Sequence, residues 1–144
     1  SQEDVWEVLA DFGGIKKFHK GLRDSYSTSD ANEGLGATRH CDLKPMGSIE
    51  ERIIDWKKGE LYTVEIYGGK KTPPFKTAQG TIKIERINDE QTRAYFILEY
   101  SLKYGIVGKA MDAMMVKSQF VKATDIVLGG LKAYTEKGVQ ELSI

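Results

Sequence analysis

The hydrophobic period of this chain changes twice, and those two changes leave few folds open. Val5, Val8, Leu9 and Phe12 recur at helical spacing, Ser1 suits an N-cap, and Glu3 and Asp4 fall in the first turn, where the helix dipole favours negative charge. This predicts a first helix over roughly residues 2–12. Gly13-Gly14 ends it, and Ile15–Lys20 is too short for more than a turn or two, giving the second half of a bent helical pair. From Asp24 the spacing becomes that of strands, over roughly 24–29, 35–44, 48–56, 60–67, 75–87 and 92–102. The links Asp30–Gly34, Pro45–Gly47, Lys57–Gly59, Gly68–Pro74 and Asn88–Glu90 are rich in residues that tolerate or impose turn geometry. After Gly105 the helical period returns, with Val116, Phe120, Ala123, Val127, Leu131 and Tyr134 at steps of three or four. The expected architecture is α+β: two short helices, an antiparallel six-stranded meander, then one long amphipathic helix over about 106–137.

Length and charge narrow the classes of function. A chain of 144 residues with 40% hydrophobic content fits a single domain, 1–144, able to bury about two-thirds of the surface its unfolded form exposes. Its 21 basic and 21 acidic residues are interleaved, as in Lys57-Lys58-Gly59-Glu60, which argues against nucleic acid or an anionic membrane surface as partner. The single Cys41 cannot form an intrachain disulfide, and no apolar run approaches the roughly 20 residues needed to cross a bilayer. A soluble, reducing, cytoplasmic setting without integral membrane association is expected, and Ser1 reads as a truncated or processed start.

The segments VWEVLADFGGIKKFH, GLGATRHCDL, SIEERIIDW, TVEIYGG and GGLKAY, in that order and spacing, resemble the polyketide cyclase/dehydrase and lipid-transport family of the START/Bet v 1-like (SRPBCC) superfamily, in which plant abscisic acid receptors are also found. The resemblance spans essentially the whole chain. It implies the helix-grip fold, in which a curved antiparallel sheet wraps the long C-terminal helix around an internal ligand cavity. Members of the family usually begin with a strand before the first helix, whereas this chain starts at the helix cap. The sheet edge that strand would cover is then a candidate for pairing with another chain, as in a homodimer.

Within that frame, strand alternation selects the residues that face the cavity. If Cys41 and Leu43 point inward then so does Arg39, while Thr38, His40 and Asp42 face out; Ile49, Glu51 and Ile53, then Tyr62, Val64 and Ile66, then Ala78, Gly80, Ile82 and Ile84 follow on the next strands. On the sixth strand two registers compete, Tyr95, Ile97 and Glu99 against Phe96, Leu98 and Tyr100, and resemblance to the abscisic acid receptors favours the first. Arg39 set between Glu51 and Glu99 could orient a polar ligand group. Alternatively these three form a buried ion-pair network with no ligand role, or the two glutamates lie on the solvent face. Tyr62, Tyr95 and Phe120 suit a flat or greasy ligand, Ala123 and Val127 line the helix side, and Met111, Met114 and Met115 could form an adaptable lid; the plain alternative is that they are core. Trp6 and Trp56 read as core or strand-edge packing.

Several chemistries are excluded or unsupported. His40 and Cys41 are adjacent on a strand and point to opposite faces, so they cannot serve one site as base and nucleophile. His19 reads as an exposed helix residue, no spacing suggests a metal site, no cofactor is implied, and the Gly68-Gly69 segment lacks the phosphate-loop pattern. The leading expectation is binding or transport of a small hydrophobic molecule such as a lipid, polyketide or isoprenoid fragment, entering near Lys44–Ser48 and Gly68–Pro74. The rivals are a cyclase/dehydratase using the same cavity, with Arg39 and Glu51 or Glu99 polarising and transferring protons, and a structural or interaction subunit. No catalytic residue is assignable from spacing.

Overall fold

Ser1 caps the first helix, α1 (Gln2–Ala10), by accepting the Asp4 amide, while the Asp4 carboxylate reaches back to Ser1 in a capping box. The helix buries Trp6 and Leu9 and gives way to a 3-10 turn over Phe12–Lys17 that buries Phe12, Gly13 and Ile15. The first helix thus stops short of Phe12, which belongs to the turn. The computed structural model describes residues 1–71, 75–102 and 117–142 of the chain.

Six strands follow in chain order: β1 (Leu22–Ser27), β2 (Thr38–Leu43), β3 (Ser48–Lys57), β4 (Leu61–Lys70), β5 (Phe75–Arg86) and β6 (Thr92–Leu102). Each pairs antiparallel with the next, giving one curved sheet in the order β1-β2-β3-β4-β5-β6. Among the described residues, β1 and β6 are therefore its edges. Directly opposed residues share a face, so the register lays out the inner rows. Arg39 opposes Glu51 and Glu51 opposes Ile66; Ile53, Val64, Gly80 and Leu98 form a second row, and Tyr62, Ile82 and Phe96 a third. An irregularity between Ile53 and Asp55 shifts β3 by one residue and lets Trp56 pair with Tyr62. β4 also runs through Gly68 and Gly69, which the sequence assigns to a turn; Thr72–Pro74 of that turn lie outside the described residues.

The last element, α2 (Lys117–Leu142), places Val127 and Leu131 in the same core as Trp6, Leu9, Phe12, Phe18, Ile53, Tyr62 and Ile82. This is the helix-grip arrangement expected from the sequence. The predicted start of the long helix near residue 106 and the methionines Met111, Met114 and Met115 lie outside the described residues, as do the side chains of Phe120 and Ala123 on α2. Among the described residues no helix is long and apolar enough to cross a membrane.

Close backbone approaches join the 3-10 segment to β1 on one side and to α2 on the other. A Cβ on Gly13 would stand 2.6 Å from the Ser27 amide nitrogen, and one on Gly130 of α2 would run into the Phe18 carbonyl oxygen. Only glycine permits either contact without a shift of backbone.

Candidate functional site

At the centre of the inner face lies a buried charge pair. Arg39 is 3% exposed and Glu51 7%, and Arg39 Nε donates to Glu51 Oε1 at 3.1 Å. Arg39 Nη1 donates to the Phe12 carbonyl at 3.0 Å, and its guanidinium carbon lies 3.9 Å from the centroid of the Phe12 ring. The 3-10 turn thus supplies both an acceptor and an aromatic face to an arginine carried by β2. Burial opposes the guanidinium's charge, but the Glu51 carboxylate more than offsets it and holds Arg39 protonated above its ordinary range.

Cys41, the next inward residue on β2, lies with its Sγ 3.5 Å from the same Glu51 Oε1. Burial pushes its thiol well up and the Glu51 carboxylate adds to the shift, so Cys41 is no thiolate nucleophile at neutral pH. Burial likewise raises the Tyr62 phenol, partly countered by the Arg39 charge. Tyr62 closes this end of the grip: its ring meets Phe12 edge-on at 5.6 Å, Trp6 edge-on at 6.4 Å, and Trp56 in a stack at 5.8 Å. Both polar contacts made by Glu51 use Oε1; among the described residues Oε2 has no hydrogen-bond partner.

The structure brings Arg39, Cys41, Glu51, Tyr62, Val64, Ile66 and Val127 together, with Ile66 half-buried and the others buried. On β6 it overturns the register that the resemblance favours. Ile97 is 48% exposed and Glu99 is also exposed, while the Tyr95 hydroxyl donates to Glu85 on the outer face. The reason is cross-strand pairing: Ala78, Gly80, Ile82 and Ile84 face the core, and their partners Tyr100, Leu98, Phe96 and Ala94 must face it too. Phe96 and Leu98 both lie 3.5 Å from where a Gly80 Cβ would be. Tyr95, Ile97 and Glu99 therefore leave the candidate site, and Arg39 has one buried carboxylate beside it instead of two.

A second correction concerns His19. It stands just after the 3-10 turn, half-buried, with Nδ1 accepting the Gly21 amide at 3.1 Å. Burial lowers its pKa to about 4, with Glu51 pulling it up and Arg39 pushing it down. α2 passes close to this segment: a Cβ on Gly130 would run into the Phe18 carbonyl and stand 3.9 Å from the His19 amide nitrogen. The available sequence signal was the Gly129-Gly130 pair, which interrupts a good helix and so marks close approach by another backbone.

Toward the other end of the grip the inward apolar residues Leu43, Ile49, Ile66, Leu98 and Tyr100 are only half-buried. A separate surface groove of about 250 Å³, lined by Glu7, Val8, Asp11, Gly14, Lys17 and Tyr134, runs between α1, the 3-10 turn and α2, and the Lys17–Asp11 ion pair (2.8 Å) belongs to its wall. On the outer face His40 stacks on Tyr26, with ring centroids 5.0 Å apart, and contacts Glu50 through Nδ1 and Asp42 through Nε2. Among the described residues no group of three or more metal-ligating side chains is placed to hold an ion.

A six-stranded antiparallel sheet gripping one long helix is the START/Bet v 1-like helix-grip fold. The chain belongs to the polyketide cyclase/dehydrase and lipid transport family, whose model matches residues 1–136. Solved structures agree on the fold. The protein TTHA0849 from Thermus thermophilus superposes with a TM-score of 0.75 at 18% identity, over 95% of this chain and 90% of that one. A START superfamily protein from Mycobacterium smegmatis gives 0.74 at 13% identity, again over 95% and 90%. The ginseng major latex-like protein 151 from Panax ginseng gives 0.73 at 9% identity, over 92% and 88%. No curated protein matches the chain in sequence.

Proposed function

We propose that this chain is a single ligand-binding domain that holds a small hydrophobic molecule between the inner sheet face and α2, with the molecule's polar end at Glu51. One observation carries the reading. Leu43, Ile49, Ile66, Leu98 and Tyr100 form an inward apolar surface that is incompletely covered, and it adjoins a buried carboxylate whose Oε2 has no partner among the described residues. An apolar surface with one fixed polar group is what orients a greasy ligand. Arg39, Cys41 and Tyr62 form the polar floor, and Val64, Ile66 and Val127 the walls. Membership of a family described by lipid transport supports the same reading.

The entrance we infer lies between the Pro45–Gly47 turn and the end of β4. Gly47 sits at φ +94°, and a Cβ there would stand 2.8 Å from the Lys70 carbonyl oxygen, so the two segments touch backbone to backbone. A lone buried thiol suits the cytoplasm. A cyclase or dehydratase activity would use the same Glu51 Oε2 as its proton acceptor.

The test uses 2-naphthol and 2-methylnaphthalene, which differ only in hydroxyl against methyl, titrated by fluorescence. The wild-type protein should prefer 2-naphthol by about fivefold, one hydrogen bond's worth, and Glu51→Gln should reduce that preference. Absence of binding by both probes would sink the container reading.

A further inference from the structure

We infer that the turn joining β2 to β3 docks on an anionic lipid surface, with Met46 entering the apolar layer and a collar of cations, Lys20, Arg23, Lys44, Lys70 and Lys71, meeting the headgroups.

The fold gathers charges that the sequence disperses. Over the whole chain 21 basic residues balance 21 acidic ones, and in chain order the two signs are interleaved. At this end of the sheet, however, three separate segments meet. Lys44 N donates to the Gly21 carbonyl at 2.9 Å, next to Lys20, and Arg23 Nε donates to the Leu43 carbonyl at 2.9 Å. On the other side Ser48 opposes Lys70, and a Cβ on Gly47 would stand 2.8 Å from the Lys70 carbonyl oxygen and 3.0 Å from that of Lys71. The five cationic side chains are all exposed, and residues 20–23, 43–49 and 66–71 contain no Asp or Glu.

Their charge is also uncompensated. Among the described residues none of the five has a carboxylate within ion-pair distance. The carboxylates of β1 to β4 are engaged elsewhere: Asp24 by Lys16, Asp42 and Glu50 by His40, Glu51 by Arg39, and Glu65 by Arg52. Asp55, which remains, opposes Thr63 in the half of β3 away from the turn.

Within this collar stands an apolar tip. Leu43 N donates to the Gly47 carbonyl at 2.9 Å and closes the turn, and Met46 inside it is 57% exposed, beside an exposed Pro45. An apolar side chain ringed by unpaired cations is complementary to a layer that is anionic outside and apolar within. A soluble anion would satisfy the cations and leave Met46 in water. The docking stands on this geometry alone; the binding reading above meets it only in placing the entrance at the same turn, where a ligand would pass from the lipid to the cavity without crossing water.

The test is sedimentation with vesicles of phosphatidylcholine containing phosphatidylserine, beside vesicles of phosphatidylcholine alone, with no ligand added. Wild-type protein should bind the anionic vesicles at least about tenfold more tightly than the neutral ones and be released by salt. Lys44→Gln combined with Lys70→Gln should lower the affinity about twenty-fivefold, fivefold for each charge, whereas Lys57→Gln with Lys58→Gln, the same change of charge at the β3–β4 turn, should alter it by less than about threefold. Met46→Trp reports insertion: relative to wild type, its emission should shift to the blue with anionic vesicles and not with polyglutamate. No binding to anionic vesicles, equal binding to neutral ones, equal losses in the two double variants, or an unshifted Met46→Trp emission on bound vesicles would each overturn the inference. A blue shift with polyglutamate would assign the turn to an acidic polypeptide and overturn it as well. None of these outcomes touches the cavity, which 2-naphthol and 2-methylnaphthalene test separately.

Discussion

A guanidinium that is 3% exposed has to find its counter-charge and its acceptors inside the protein, and Arg39 finds Glu51, the Phe12 carbonyl and the Phe12 ring. Removing one partner of such a pair strands the other. Arg39→Met should cost about 3–5 kcal/mol in a denaturant titration, and adding Glu51→Gln should restore part of that loss because no buried carboxylate is then left alone. A double variant as unstable as the sum of the singles would show that the two residues are uncoupled. Cys41 gives a kinetic counterpart. With its thiol raised by burial and by Glu51, it should react with dithiobis-nitrobenzoate far more slowly in the folded protein than in urea. Alternation put Arg39 on one face with Cys41 and Glu51 with Ile49 and Ile53, while leaving open whether Glu51 faced the interior or solvent. The half-buried position of His19 was not legible, because α2, whose Gly130 comes up against the Phe18–His19 backbone, lies at the far end of the chain.

Among the elements, α2 offers a paired test at consecutive glycines. A Cβ on Gly129 would meet nothing within 4 Å, whereas one on Gly130 would collide with the Phe18 carbonyl. Gly129→Ala should therefore raise stability by about 0.5–1 kcal/mol through helix propensity, and Gly130→Ala should lower it by more than that. Equal effects at both positions would mean that α2 does not rest on the Phe18 backbone. The strands β1, β2 and β3 share a second device on the outer face. Both nitrogens of His40 face carboxylates, which only an imidazolium can satisfy with two N–H donors. The hydrogen bond to Glu50 is the main cause that raises its pKa above the usual 6.5. Its contribution is then complete below pH 6.5 and lost as pH climbs through the raised value. His40→Gln should cost about 1 kcal/mol at pH 6 and much less at pH 9. The β6 register shows the limit of resemblance at this scale. The pairing of β6 with β5 across the short Asn88–Gln91 turn was the stronger constraint, and it turns Ile97 and Glu99 outward.

For the molecule as a whole, the two histidines pull stability in opposite directions. His19 is depressed to about 4 from 6.5, so the folded state resists a proton that the unfolded chain accepts. Stability should fall as pH drops below 6.5 toward 4, by at most about 3 kcal/mol from this residue. With His40 acting in the opposite sense above 6.5, the profile should peak between the two limbs; His19→Gln should flatten the acid limb and His40→Gln the alkaline one. The order of elements was readable from hydrophobic period because each strand and helix has its own repeat. How far the inner surface is covered was not, since that depends on which side chains of facing elements meet.

The aromatic end of the grip has an optical consequence. Trp6 and Trp56 meet edge-to-face with centroids 5.0 Å apart, close enough for their excited states to mix. The far-ultraviolet circular dichroism should carry a tryptophan couplet superimposed on the helix and strand bands, and Trp6→Phe or Trp56→Phe should each abolish it. Helix content read from that spectrum would be distorted until the couplet is subtracted, and its disappearance on heating would time the moment α1 leaves the sheet.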